Sequence, residues 1–302
     1  MQKILVTGAS GFIGSNLIKS LKKKYRLICI YNKKNFKIRQ TKFKEVEWIK
    51  ADLSQKKHIK IIPKDIDILI HLAADPRTFL QLSEKTLQIE RNKKITNNVI
   101  EYLKDNKCKL FIFFSSCYVY SGNKRKILNE NLKIKPIEAL GKSKKNSENL
   151  FYKFSKITKQ KIIILRLFSV YGKGVKKTHY LNKLINLFKN KIKKYLVIKG
   201  PNVKRDYINI SDLTEAIQKI LNFKVSKYRK NFYIFNISTG QTITNKNIVQ
   251  SLKKILKSKK IISYKRNNNL NNLSFASSNT KFKKFYKWYP KIKFENGLKE
   301  LV

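Results

Sequence analysis

Hydrophobic and polar positions alternate in blocks along the first half of this 302-residue chain. Short runs of isoleucine, leucine, valine and phenylalanine are typical of buried β-strands, and the lysine-rich stretches between them have the apolar spacing of helices. The runs predict strands over Lys3–Thr7, Arg26–Tyr31, Val46–Ile49, Ile66–His71, Leu110–Ser115 and Lys161–Phe168. The intervening stretches predict helices over Phe12–Lys22, Leu87–Asp105 and Lys142–Thr158. Because buried strands separated by helices favour a parallel sheet covered on both faces, the pattern predicts a doubly wound α/β fold.

The blocks become less regular after Tyr171, where mixed segments follow and end in a polar loop, Arg266–Asn272. No repeat of fixed period is visible, and no linker separates the two halves. The sequence therefore predicts a first domain over residues 1–171 and a smaller, interleaved C-terminal lobe over residues 172–302. Segments at about 205–240 are expected to return to the first domain.

A glycine-rich turn follows the first predicted strand and precedes the first predicted helix. It has the spacing T-G-x-x-G-x-x-G, with its glycines at Gly8, Gly11 and Gly14. Glycines in such a turn permit a tight bend, close approach of the backbone to a pyrophosphate, and contact between helix and strand. The helix N-terminus adds free N–H groups and the positive end of the helix dipole. A strand, three glycines and an amphipathic helix in this order predict a dinucleotide site in the first domain.

The chain is strongly basic, since 69 lysines and arginines face 18 acidic residues and give a formal net charge of +51. Such a field attracts polyanions, including nucleic acids and anionic membrane surfaces. Only nine of the basic residues are arginine, the lysines are spread along the chain, and lysine, asparagine and isoleucine all have A/T-rich codons. A composition bias and a functional polyanion surface both remain open. No motif that reads bases accompanies the charge, so no specific nucleic-acid recognition is predicted.

The cysteine content and the hydropathy of the chain indicate its compartment and exclude some classes of protein. Cys29, Cys108 and Cys117 are too few and too scattered for a disulfide scaffold or a zinc site, and no metal is expected. No apolar run approaches the length of about 18 residues that a membrane helix needs, so no membrane insertion is expected. The N-terminus enters a strand pattern at once, without the layout of a signal peptide. The expected compartment is a reducing cytoplasm.

Further motifs follow the glycine turn in a fixed order along the chain. They are Ala51–Leu53, His71–Ala74, Asn92 with Thr96 and Asn98, Ser115–Tyr120, Leu165–Gly172, Arg205–Leu213, Phe235–Gly240 and Trp288–Pro290. Together with the glycine turn they resemble the extended branch of the short-chain dehydrogenase/reductase superfamily, the NAD-dependent epimerase/dehydratase family that modifies sugar nucleotides. The resemblance covers essentially the whole chain. It implies a Rossmann-type doubly wound sheet that binds NAD or NADP, and a smaller lobe that binds a nucleotide sugar.

The resemblance and the turn together indicate a set of cofactor-binding residues. They are Gly8, Ser10, Gly11, Phe12, Ile13, Gly14, Asn32, Lys33, Asp52, Leu53, Leu72, Ala73, Ala74, Asn92 and Lys144. An NAD enzyme needs an acid near the end of the second strand to bind the ribose 2′-hydroxyl, but Tyr31 stands there and no Asp or Glu is near it. Asn32 can bond the hydroxyl and Lys33 can neutralise a 2′-phosphate. NAD and NADP therefore both remain open.

The catalytic segment lacks a phenol that the resemblance leads us to expect. In the family resembled, a tyrosine in Y-x-x-x-K exchanges a hydroxyl proton while hydride moves, the lysine lowers the pKa of that phenol and holds the nicotinamide ribose, and a serine orients the substrate oxygen. The G-x-S-K core puts Lys144 at the lysine, Ser116 at the serine and Leu140 at the tyrosine. Leucine cannot exchange a proton, and loss of a general acid/base typically costs about 10² to 10⁴ in rate. Cys117 is either a surrogate proton donor or a small buried residue.

On the substrate side, the resemblance implies phosphate-binding arginines. Arg205 matches the arginine that clamps the diphosphate of the sugar nucleotide, and its planar guanidinium presents a fork of donors suited to phosphate oxygens. An ion pair with Asp206 is the alternative role. Arg266 is a second phosphate candidate, and Asn279 stands where the family often has an aspartate.

Two functional hypotheses follow from the sequence, with a third from the charge. The first is an NAD(P)-dependent epimerase, dehydratase or reductase that acts on a nucleotide sugar by hydride transfer. The second is a catalytically impaired protein that binds a dinucleotide and a sugar nucleotide. The third is a basic nucleic-acid-binding protein. The resemblance also suggests a homodimer.

Overall fold

The computed structural model describes residues 1–32, 43–77, 80–123, 127–267 and 274–302. The chain divides into two compact units, each assembled from stretches that are not consecutive. The first unit comprises Met1–Asn123, Lys133–Arg166 and Ile217–Phe235, and the second comprises Lys124–Leu132, Leu167–Ala216 and Asn236–Val302. The predicted domain boundary at residue 171 stays a prediction.

The strands and helices are short and alternate along the chain. The strands are β1 (Lys3–Thr7), β2 (Arg26–Tyr31), β3 (Glu47–Lys50), β4 (Ile68–His71), β5 (Leu110–Ser116), β6 (Ile162–Leu167), β7 (Ser169–Tyr171), β8 (Tyr195–Lys199), β9 (Lys204–Arg205), β10 (Tyr207–Asn209), β11 (Phe232–Ile237), β12 (Ile243–Thr244) and β13 (Ile261–Lys265). The helices are α1 (Phe12–Leu21), α2 (Leu82–Asp105), α3 (Ala139–Thr158), α4 (Tyr180–Lys189), α5 (Ile210–Asn222), α6 (Asn245–Ile255), α7 (Thr280–Tyr286) and α8 (Phe294–Lys299).

A seven-stranded parallel sheet in the order β11-β6-β5-β4-β1-β2-β3 forms the centre of the first unit. Its middle strands are apolar on both faces, as a parallel sheet covered by helices requires. In β1, for example, Ile4, Leu5 and Val6 are each at most 1% exposed. The predicted doubly wound α/β fold is confirmed.

The strand order reverses at β1, which pairs with β2 on one side and with β4 on the other. Thr7 at the end of β1 pairs with His71 at the end of β4, so both strands finish at the same edge of the sheet. In doubly wound sheets, the crevice at the carboxyl ends of strands beside such a switch point is where ligands bind. The glycine turn leaves β1 at this edge.

The second unit has its own core and three two-stranded sheets. β10 pairs with β7 and β13 with β8 in parallel, whereas β12 pairs with β9 in antiparallel. Its core packs residues of α4 and α6, among them Leu181, Leu184, Ile248 and Leu252, around Tyr171.

The described residues contain neither a membrane-spanning helix nor a cluster of metal ligands. None of the helices there combines the length and the apolar character that a membrane crossing requires. Within the same ranges, no three His, Cys, Asp or Glu side chains are grouped so that they could hold a metal ion. The three cysteines are buried, and none of them forms a disulfide bond.

Candidate active site

The glycine turn is packed so closely that side chains at its glycines would collide with neighbouring backbone. Gly8 has φ +67°, a conformation that glycine adopts without steric cost. A Cβ on Gly8 would lie 2.8 Å from the Ala73 backbone nitrogen, and one on Gly14 would lie 2.6 Å from the Gly8 carbonyl oxygen. The turn therefore holds the start of α1 against β1 and against the segment that follows β4.

The N-terminus of α1 fits a pyrophosphate. Gly11 is its N-cap residue, in extended conformation and without a side-chain cap. The first N–H groups of a helix have no partner within it, and Phe12, Ile13 and Gly14 contribute these groups here. With the positive end of the helix dipole, they form the type of anion site that binds dinucleotide phosphates.

An alanine at Gly8 is expected to weaken dinucleotide binding by about 5- to 150-fold, because overpacking typically costs about 1–3 kcal/mol. The measurement is a fluorescence titration with NADH. Gly174→Ala is the matched control, since Gly174 also has positive φ but a Cβ there would meet nothing within 4 Å. The prediction fails if Gly8→Ala binds NADH within twofold of the wild type.

A buried threonine–histidine pair lies directly below the turn. Thr7 Oγ1 accepts a hydrogen bond from the Ala73 N–H at 3.2 Å and forms a second hydrogen bond with His71 Nδ1 at 2.7 Å. Burial, with the nearby charge of Lys144, lowers the pKa of His71 to about 3. His71 is therefore neutral in the physiological range and fixes the position of Leu72, Ala73 and Ala74 rather than exchanging protons. The sequence analysis did not identify this pair.

The residues predicted to bind the adenosine half lie after β2 and β3. Burial works to raise the pKa of Asp52, but hydrogen bonds from Ser54 and Asn32 and the charge of Arg91 outweigh it and leave that pKa below its usual value. Arg91 Nη2 lies 3.2 Å from Asp52 Oδ2. Asn98 donates to the Leu53 carbonyl oxygen at 2.8 Å, which ties this segment to α2. Lys33 lies outside the described residues.

Asn92, predicted to bind the cofactor, is buried and bonded to protein groups. Its side-chain oxygen accepts from the Asp75 N–H at 2.8 Å, and its amide donates to the Asp75 carbonyl oxygen at 3.2 Å and to Ser143 Oγ at 3.0 Å. It thereby joins the segment after β4 to α3. These bonds favour a positioning role for Asn92, and its contact with the cofactor stays a prediction.

Ser116 and Leu140 lie where β5 and α3 adjoin a 3₁₀ turn, Cys117–Tyr120. Ser116 is the N-cap residue of that turn, and its Oγ accepts from the Tyr118 N–H at 3.3 Å. The hydroxyl proton of Ser116 is still available for donation to another group. Leu140 is 7% exposed in the first turn of α3. The position at which the resemblance leads us to expect a phenol is therefore apolar and buried.

Lys144 is a buried ammonium one turn beyond Leu140 on α3. Its Nζ donates to the Phe114 carbonyl oxygen at 2.7 Å and lies 4.5 Å from the centroid of the Phe113 ring. Burial lowers the pKa of Lys144 to about 8, against the opposing charge of Glu148. A cation therefore lies beneath the carboxyl edge of the sheet at neutral pH.

A buried ion-pair network fixes the end of β5 and the start of the 3₁₀ turn. Arg166 Nη2 lies 2.6 Å from Glu148 Oε2, and both side chains are at most 4% exposed. Ser115 Oγ donates to Glu148 at 2.5 Å, and Arg166 Nη1 donates to Tyr120 Oη at 2.7 Å. The network therefore braces β5, β6 and α3 on both sides of Ser116.

The second unit carries the predicted phosphate-binding arginines. The Arg205 guanidinium lies 4.8 Å from the centroid of the Phe275 ring. The neighbouring Asp206 carboxylate accepts hydrogen bonds from Thr239, Gly240 and Ser277. This binding of Asp206 to the 239–240 turn disfavours the alternative in which Asp206 serves as the partner of Arg205.

The other substrate-side positions differ in burial. Arg266 follows β13 and is exposed. Asn279 is 3% exposed, and its amide donates to the Ser238 carbonyl oxygen at 2.7 Å. Asn279 therefore has a bond within the protein, and the contact of Arg266 with a phosphate stays a prediction.

The fold and the turn define a class before any comparison is made: a doubly wound dinucleotide-binding protein. The model of the NAD dependent epimerase/dehydratase family matches residues 4–238. The chain belongs to that family, and the predicted family is confirmed. The predicted nicotinamide cofactor is also confirmed, since the family is NAD-dependent.

One relative and two solved structures match the chain over nearly its whole length. An uncharacterised protein of Methanocaldococcus jannaschii is 27% identical, over 99% of this chain and 94% of its own. The UDP-glucose 4-epimerase of Thermotoga maritima, solved with UDP-glucose, superposes with a TM-score of 0.87 at 23% identity, covering 99% and 97% of the two chains. A UDP-glucuronic acid 4-epimerase mutant of Bacillus cereus, solved with UDP-4-deoxy-4-fluoro-glucuronic acid and NAD, gives a TM-score of 0.85 at 25% identity and covers 99% and 97%.

Proposed function

We propose that this protein is an NAD(P)-dependent epimerase, dehydratase or reductase that acts on a nucleotide sugar by hydride transfer. The observation that carries the proposal is the buried Lys144 ammonium, held beneath the carboxyl edge of the sheet by the Phe114 carbonyl oxygen. Taking a charge out of water is costly, so a chain without use for this cation has reason to lose it. Ser116 and the glycine turn accompany Lys144 in the same unit.

The cofactor residues have separable roles in this proposal. Bound NAD(P) supplies the acceptor or donor of hydride. Gly8, Gly14 and the N–H groups of Phe12 and Ile13 hold the pyrophosphate, and Asp52 with Asn32 holds the adenosine half. Lys144 holds the nicotinamide ribose and supplies a positive charge, and Ser116 orients the reacting sugar oxygen. Arg205 binds the diphosphate of the nucleotide sugar, in keeping with the sugar-nucleotide ligands of the structural neighbours.

A specific observation favours a second candidate function. Leu140 removes the phenol that the family uses for proton transfer, which favours a protein that binds a dinucleotide and a nucleotide sugar without turnover. The buried lysine, the intact turn and the braced Ser116 favour a functioning pocket and support the enzyme, although Lys144 can hold the cofactor ribose without any chemistry. The absence of specific nucleic-acid recognition, a homodimer and a cytoplasmic location stay predictions.

The proposed function is tested with a panel of UDP- and dTDP-linked hexoses, pentoses and uronic acids, each with NAD and with NADP. We expect turnover of at least one sugar, detected by NMR of the products and by absorbance at 340 nm, and activity with the two cofactors within about a hundredfold. The binding hypothesis is distinguished by tight binding of NADH and of a nucleotide sugar with no product. Absence of both binding and turnover excludes both candidates.

A further inference from the structure

Tyr118 is the half-buried member of the 3₁₀ turn that continues β5 beyond Ser116. Cys117, Val119 and Tyr120 in the same turn are each at most 4% exposed. Tyr118 is therefore the residue of this turn that is partly accessible to solvent. β5 ends at the carboxyl edge of the sheet, at which the glycine turn and the end of β4 also lie.

The backbone of Tyr118 contacts both Ser116 and the first turn of α3, which contains Leu140. Its N–H donates to Ser116 Oγ at 3.3 Å. Its carbonyl oxygen lies against the first turn of α3, so closely that a Cβ on Gly141 would collide with it. Gly141 directly follows Leu140. Tyr118 is therefore packed between Ser116 and the helix turn that contains Leu140, the residue at the position where the family has its tyrosine.

Three titratable groups close to Tyr118 along the chain or in the site are poorly suited to exchange a proton with a sugar hydroxyl. His71 is fully buried and bonded to Thr7. Lys144 is buried and donates to a backbone carbonyl. Cys117 is 4% exposed. Tyr118 differs from these three in that it is a titratable residue with partial exposure.

We propose that Tyr118 supplies the proton-transfer group that Leu140 cannot supply. The inference rests on the proposed function. In the oxidative direction, the sugar hydroxyl gives its proton to the Tyr118 phenolate while its carbon gives hydride to the oxidised cofactor. The sugar O–H and C–H bonds break, a carbonyl and a phenol O–H form, the sugar is oxidised and the cofactor is reduced. The reductive direction reverses each change.

Lys144 supports this role electrostatically. Residues four apart on a helix lie on the same face, so the Lys144 ammonium is one turn below Leu140. A positive charge nearby favours the ionised form of a phenol, whose pKa is ordinarily about 10. The proposed role therefore requires that the charge of Lys144 favours the ionised form of the Tyr118 phenol.

The activity test compares five proteins: wild type, Tyr118→Phe, Leu140→Tyr, the double variant Tyr118→Phe/Leu140→Tyr, and Tyr152→Phe. Tyr152 is an exposed phenol on α3 and serves as the control. We expect Tyr118→Phe to lose about 10²- to 10⁴-fold in kcat with unchanged NADH affinity, since it loses a general acid/base. We expect the kcat of the double variant to be at least tenfold higher than that of Tyr118→Phe, because its phenol is at the position that the family uses.

A second test needs no turnover. The wild-type minus Tyr118→Phe difference in absorbance at 295 nm, followed against pH, reports ionisation of the Tyr118 phenol. We expect a midpoint below pH 10. A midpoint at or above 10 overturns the inference, as does a Tyr118→Phe variant that keeps kcat within threefold of an active wild type.

The failure of this inference and that of the proposed function are distinguishable. An inactive wild type with an active Leu140→Tyr single variant overturns the role of Tyr118, because the pocket then works only when the phenol is restored at 140. Inactivity of wild type and of every tyrosine variant on the whole panel overturns the proposed function, and the inference with it.

Discussion

Replacing Glu148 with glutamine is expected to lower the free energy of unfolding by about 3–5 kcal/mol. Removing one partner of a buried ion pair leaves the other charge without compensation. Here the charge left behind is the Arg166 guanidinium, which is 4% exposed and would keep only neutral acceptors, the amide oxygen of the new glutamine and Tyr120 Oη. The measurement is urea denaturation followed by circular dichroism, compared with the wild type at one pH.

Two variants sharpen this test. Glu101→Gln removes an exposed ion pair with Lys104 on α2 and is expected to change stability by less than about 0.5 kcal/mol. Replacing both buried partners, in Glu148→Gln/Arg166→Met, is expected to recover part of the loss, because an uncharged pair has no unpaired guanidinium. A loss in Glu148→Gln no larger than in Glu101→Gln contradicts the role assigned to the network.

The network also links stability to the proposed chemistry. Glu148 accepts from Ser115, and Arg166 donates to Tyr120, so the two bonds hold both ends of the segment that contains Ser116 and Tyr118. Loss of Glu148 is therefore expected to loosen that segment before the whole unit unfolds. In sequence, Glu148 and Arg166 are 18 residues apart and appear as two unrelated charges in different motifs.

Local pattern was sufficient to predict the elements of the central sheet whose strands are buried on both faces. β1 and β2 begin and end at the predicted residues, because their apolar runs are bounded by polar residues on each side. α2 begins at Leu82 rather than at Leu87, since the Glu84 carboxylate accepts from the Gln81 N–H and fixes an earlier first turn. Both leucines are exposed, so hydrophobic periodicity gave no signal there.

The rest of the chain depends on contacts that pattern does not record. β9 and β12 have two residues each, and they exist only because Ile243 pairs with Arg205 and Thr244 with Lys204. The burial of Lys144 was also invisible, since one lysine among so many in the sequence looks like any other. Motif spacing identified its position, but only the structure places its ammonium against the Phe114 carbonyl oxygen.

That burial makes Lys144 a source of instability at neutral pH. Burial lowers the pKa of Lys144 from the usual 10.5 to about 8. Below pH 8 the lysine is charged in both the folded and the unfolded chain, and the folded state bears the full cost of holding the charge out of water. Between pH 8 and 10.5 the unfolded chain binds a proton that the folded chain has released, so stability rises with pH. The difference amounts to about 3 kcal/mol.

Lys144→Met is expected to remove this pH dependence. Between pH 7 and pH 10.5 the free energy of unfolding of the wild type should rise by about 3 kcal/mol relative to that of the variant. The reason is that only the wild type has a buried charge that disappears when the lysine loses its proton. Denaturant titrations at a series of pH values measure it, with Lys142→Met, an exposed lysine on the same helix, expected to follow the wild type throughout. A constant difference across that range would show that the ammonium is not held out of water. A protein that keeps this destabilising cation is expected to depend on it, so Lys144→Met should also bind NADH more weakly while Lys142→Met does not.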